Sequence, residues 1–185
     1  MISTRPLSKL LTCILSAVKT GLQTYCDTSY SGDGVNRMWI LKNSKDLLEY
    51  IQSRFIYSCN SIKTFDFSTL YTTIPHSKLN DRLREFVQLC FIKKKNGQRR
   101  YNYLVLGRSK SYFVNKNHSD STKKFSETDI INMLECFLLT TYLLCLVDGF
   151  FKQTVGIPMG TNCAPPLADL FLYSYRGFSR KTKRS

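Results

Sequence analysis

The sequence predicts a helix-rich α+β fold, and three observations carry the prediction. Apolar residues recur at helical spacing over long stretches, and short runs of aromatic and β-branched residues between them read as strands. A nearly uncharged loop rich in Gly and Pro, Val155 to Pro166, then separates the last strand from a final apolar helix. A surface connection is normally more polar, so this loop is built to touch something. With 185 residues and 43% hydrophobic content, the chain suffices for one cored domain or for a slice of a larger one.

The elements follow in order. Leu7, Leu10, Leu11, Ile14, Leu15, Val18 and Leu22 form one face of an amphipathic helix from near Pro6 to about Tyr25. Starting so close to Met1, it reads as an element cut from a longer context. Ser31 to Gly34 is a turn, Met38 to Leu41 a short docking segment, and Asn43 or Ser44 caps a helix over Lys45 to Gln52. Ile62 to Phe67 is a strand that places Asp66 near its carboxyl end. Ile74-Pro75 breaks the pattern, and Ser77 caps a helix from Lys78 to Cys90 with Leu79, Leu83, Phe86, Val87 and Cys90 on one face.

Asn96-Gly97 between Phe91-Ile92 and Tyr101 to Leu106 signals a hairpin. Lys93, Lys94, Lys95, Arg99 and Arg100 crowd its tip, either as a solvated, charge-blunted turn or as contacts for a nucleic-acid backbone. Tyr112 to Val114 is a short strand and Asn115 to Lys124 a polar loop. Ser126 to Asp129 has capping-box form and opens a buried helix from Ile130 to about Val147. Phe150 to Val155 is a strand leading into the Gly-Pro loop, and Leu167 to Tyr175 is a helix whose core face is Leu167, Leu170, Phe171 and Ser174.

Charge and cysteine usage narrow the partners. The net charge of +14, from 27 Lys and Arg against 13 Asp and Glu, favours a polyanion, with nucleic acid ahead of a membrane surface. Seven cysteines without a Cys-x-x-Cys pair, of which Cys13, Cys90, Cys136 and Cys145 sit among apolar neighbours, read as reduced core thiols in an intracellular, reducing compartment with no zinc site. His76 and His118 read as solvent-facing loop histidines. The apolar run Cys136 to Val147 is shorter than the roughly 20 residues that cross a bilayer, so no transmembrane segment is expected.

Two stretches carry a resemblance. Phe65-Asp66-Phe67-Ser68-Thr69-Leu70-Tyr71-Thr72-Thr73-Ile74-Pro75 resembles motif A of reverse transcriptases, and Gly156-Ile157-Pro158-Met159-Gly160-Thr161-Asn162-Cys163-Ala164-Pro165 resembles motif B, closest to retroelement enzymes of the Penelope-like kind. The resemblance runs from about Arg5 to Tyr175. It implies a partial polymerase palm, a ferredoxin-like sheet with packed helices and incomplete fingers, over residues 1–175, with 176–185 as an unstructured basic tail. The implied reaction is RNA-templated DNA synthesis on an RNA template and DNA primer with a deoxynucleoside triphosphate. That chemistry uses two Mg²⁺ ions about 4 Å apart held by convergent carboxylates.

On that resemblance Asp66 is the motif A carboxylate, and the Phe67 backbone carbonyl supports the second ion. Tyr71 lies beneath the incoming sugar, where it excludes a 2′-hydroxyl. Gly156, Pro158, Met159 and Gly160 wall the nucleotide and template, the glycines by leaving no Cβ in the way and the thioether by packing on a base. The ordinary readings of the same residues are a turn-forming Asp, a core Tyr and a simple helix lead-in. The Tyr-x-Asp-Asp of motif C does not occur, nor does any Asp-Asp pair. The chain is therefore expected to be catalytically incomplete, and its basic end to mark a truncation or frame change, with a nucleic-acid-binding tail as the rival reading. A nucleic-acid-binding module without catalysis and a non-functional remnant are the rival expectations.

Overall fold

A computed structural model of the protein describes residues 5–30, 38, 40, 43–53, 63, 67, 69–92, 101–107, 110–115, 123–140, 142–145 and 149–177. The described part is a mixed α+β structure. Six helices are present: α1 Arg5–Tyr30, α2 Ser44–Ser53, α3 Leu70–Thr73, α4 His76–Cys90, α5 Glu127–Leu139 and α6 Ala164–Gly177. Five strands accompany them: β1 Tyr103–Leu106, β2 Ser111–Val114, β3 Lys123–Phe125, β4 Tyr142–Cys145 and β5 Gly149–Lys152.

The core lies where α1, α4, α5 and α6 pack on one another. The apolar stripe of α1 enters it as its spacing predicts, with Leu11, Ile14, Leu15, Val18 and Leu22 at 1% exposure or less. The helix continues five residues beyond Tyr25. Thr20, Thr24 and Thr28 donate their hydroxyls to carbonyls four residues back, and Gln23 reaches Asp27, so the added turns are bonded locally. Gly21 allows α1 to lie close on α4 and β2, since a Cβ there would meet Cys90 Sγ and a Phe113 ring carbon at 2.9 Å. The predicted face of α4 is buried in full, and Phe86 meets Tyr173 of α6 with ring centroids 5.6 Å apart.

β1 is the middle strand of an antiparallel sheet of order β2-β1-β3, pairing Leu104 with Phe113 on one side and Phe125 on the other. Its Leu104 and Val105 are both fully buried, so both faces are covered. The Tyr101 N–H donates to the Phe91 carbonyl, which ties the sheet to the end of α4. Residues 93–100, including the hairpin tip and its five cations, lie outside the described residues, as do most of the expected strand at 62–67 and residues 178–185 of the tail.

Several expectations change. The apolar run after Cys136 is not one helix. α5 stops at Leu139, where Thr140 donates both its N–H and its hydroxyl to Cys136 O, and Tyr142–Cys145 pairs with Gly149–Lys152 as a hairpin. Apolar runs of this length satisfy either period, and here Asp148-Gly149 supplied a turn signal in the sequence. α4 starts at His76 behind Pro75, whose carbonyl accepts from Leu79, so Ser77 lies inside the first turn and is not the cap. Lys123 and Lys124 belong to β3 rather than to a loop. Cys13 and Cys136 are exposed, because each falls off the buried stripe of its helix, whereas Cys26, Cys90 and Cys163 are buried. Among the described residues no helix is long and apolar enough to cross a membrane.

Candidate functional site

The two stretches that carry the resemblance lie 80 residues apart in sequence and meet in space. Pro75 and Val155 form an isolated antiparallel bridge. The Gly156 N–H donates to Ile74 O at 2.7 Å, and the Ile157 N–H to Tyr71 O at 2.6 Å. Ile74 and Ile157, at 2% and 1% exposure, anchor the junction in the core. Short backbone bonds above apolar anchors fix one loop against the other more firmly than side-chain contacts alone.

Each residue type in the loop answers a local geometric demand. Gly156 has φ +89°, and a Cβ on it would lie 2.5 Å from Tyr71 O and 3.0 Å from Thr72 Cα. Its bare backbone therefore serves the approach of the motif A-like segment within the chain. Pro158 to Thr161 closes a turn: the Thr161 N–H and hydroxyl both donate to Pro158 O, at 3.4 and 2.8 Å. Gly160, with φ +82°, fills the third position, where a type II turn needs the left-handed region. Met159 is thereby carried at the tip, 70% exposed, while Pro158 is buried below it.

The far end of the loop is held by α1. Ser8, 1% exposed, accepts from the Cys163 N–H at 3.2 Å, and its hydroxyl lies 3.3 Å from Cys163 Sγ. Burial pushes the Cys163 thiol up, against the opposing pull of its hydrogen bonds to Ser8 and Thr161. Pro165 and Pro166 then sit in the first turn of α6, where a missing N–H leaves no hydrogen bond unmade. Asp169, one turn on, pairs with Lys19 of α1 at 2.8 Å.

Three residues of this site were not singled out by sequence reasoning. His76 is half-buried rather than solvent-facing, and its Nε2 lies 2.6 Å from Gly156 O. A carbonyl only accepts, so that nitrogen carries the proton and donates. Gln153 donates its amide to Val155 O at 3.0 Å, while its buried Oε1 has no partner among the described residues. Ser8 is the third. His76 directly follows Ile74-Pro75, and a polar side chain beside a backbone break is the one sequence signal that pointed to it.

The predicted site residues divide. Tyr71, Gly156, Pro158, Met159 and Gly160 belong to one continuous junction. The Tyr71 side chain is half-buried and packs against the core. The Phe67 carbonyl accepts from the Leu70 N–H at 3.4 Å, and its ring is 59% exposed. Asp66 lies outside the described residues, as do Lys93, Lys94, Lys95, Arg99 and Arg100. Among the described residues no three His, Cys, Asp or Glu side chains come together as a metal ion would need. Those residues do not by themselves make a Mg²⁺ site.

No protein-family model matches the chain, and no curated protein or solved structure matches it either.

Proposed function

We propose that the chain is a reverse-transcriptase-type palm element whose motif A-like and motif B-like stretches form one wall for a nucleotide and its template base, without catalytic activity of its own. The observation that carries this reading is the backbone union of Tyr71–Pro75 with Val155–Ile157. A nucleotide wall needs the sugar-side and base-side segments at one place and rigidly related. Here Met159 stands exposed at the tip of a bonded turn beside that union. Its unbranched thioether is suited to lie on a base of any identity.

The chemistry is limited by the carboxylates. Two-metal transfer requires several acidic oxygens at one point. The sequence offers Asp66 in its motif A-like stretch and no Tyr-x-Asp-Asp. The chain's own residues would therefore bind and orient a template, primer and deoxynucleoside triphosphate rather than join them.

The test is binding of a fluorescent template–primer in Mg²⁺ buffer, with and without the complementary deoxynucleoside triphosphate. The nucleotide should tighten binding for the native chain, and Met159→Ala, a change at an exposed side chain, should weaken that gain several-fold. If the nucleotide has no effect on binding, the wall is not a nucleotide site. If the native chain extends the primer and Asp66→Ala abolishes the extension, the absence of catalysis is wrong.

A further inference from the structure

A second feature lies along the other side of α1. Between that helix and the β2-β1-β3 sheet runs a groove of about 940 Å³. Lys9 of α1, Lys110 at the β1–β2 turn and Lys123 of β3 line it. They come from three separate elements and converge on one channel. Among the described residues no carboxylate lines it, and none of the three lysines is ion-paired. Ser16 and Ser111 add hydroxyls to its walls, and Leu10, Ala17 and Leu106 contribute apolar surface. The Gly107 N–H bonds to Lys110 O at 3.1 Å, which holds that lysine's backbone on the groove.

We propose that this groove binds the phosphodiester backbone of a single-stranded nucleic acid. Three unneutralised ammonium groups around one concave surface attract a chain of regularly spaced anions, and the hydroxyls supply neutral hydrogen bonds to its non-bridging oxygens. Among the described residues no aromatic side chain lines the groove, so these walls offer bases no stacking and the contact is independent of sequence. The net charge of +14 draws the same partner from a distance, with the groove as the place of contact. This site is independent of the nucleotide wall, and Met159→Ala leaves it intact.

Cys13 makes the proposal directly testable, because it is an exposed thiol on the groove wall, whereas Cys136 is exposed on α5 and does not line the groove. Alkylation of the native chain is followed by peptide mass mapping in the presence of an oligothymidylate. The oligonucleotide should slow alkylation of Cys13 at least several-fold and leave Cys136 unchanged. In titrations at varied salt, replacing Lys9, Lys110 and Lys123 together by Gln should make the slope of log K against log salt shallower by about 2, roughly 0.7 per lysine. Arginine at the same three positions should restore it. Equal Cys13 reactivity with and without oligonucleotide overturns the proposal, and the footprint needs no substitution that might disturb folding. Protection by anionic phospholipid vesicles but not by the oligonucleotide also overturns it, in favour of a membrane surface.

Discussion

At the scale of single residues, the two positive-φ glycines of the loop do different work. Gly156 combines φ +89° with a contact that leaves no room for a methyl group, whereas Gly160 has φ +82° and open space around the missing Cβ. Gly160→Ala should cost about 1 kcal/mol, the price of a left-handed alanine. Gly156→Ala should cost at least twice that, about 2–4 kcal/mol, because the loop must also lift from Tyr71 O. Urea denaturation of both variants measures the difference, and equal losses would contradict the docking of the loop on the Tyr71 segment. Sequence reasoning placed both glycines in a functional loop, but it assigned their bareness to an incoming ligand. The structure shows that Gly156 is bare for an internal neighbour, which no reading of one stretch at a time reveals.

Among the elements, helix starts were more legible than helix ends. The capping box at Ser126 and Asp129 forms as its spacing predicts: Ser126 Oγ accepts from the Asp129 N–H, and the Asp129 carboxylate accepts from the Ser126 N–H. Ser126→Ala should therefore lower stability by about 1 kcal/mol, read from the thermal or urea midpoint. The end of α5 was missed because Leu138 to Val147 is apolar but for Thr140 and Thr141, and such a run fits a buried helix or a buried strand equally. What separates the two is a partner. β4 exists because β5 lies opposite it, with Leu143 in register with Phe151 and Leu144 with Phe150. The same holds for β3, whose two lysines read as loop until β1 offers them an edge.

For the whole molecule, stability rests on a core that holds the Cys90 and Cys163 thiols, like that of Cys26, away from water. Burial, reinforced by the neighbouring Cys26, pushes the Cys90 thiol far above its ordinary value of 9.0, and burial raises Cys163 as well. A thiol raised in the folded state stays neutral there while the unfolded chain ionises. Its contribution is thus complete below about pH 9 and falls as pH rises beyond it, for Cys90 by up to roughly 1.4 kcal/mol per pH unit. Stability measured above pH 9 should fall more steeply for the native chain than for Cys90→Ala, and parallel slopes would show that Cys90 titrates alike in both states. The α+β class, the buried stripes of α1, α4 and α6 and the capping box were legible in the sequence, as were the limits of the two stretches that the structure brings together. Those features depend on residue type and short-range period, which the chain carries locally. The place where α5 gives way to a strand, the bracing of the Gly-Pro loop by His76 and Ser8, and the sharing of a groove by three distant lysines emerge with the packed fold. Each of those depends on a partner remote in sequence, and pairing across that distance is settled when the core closes.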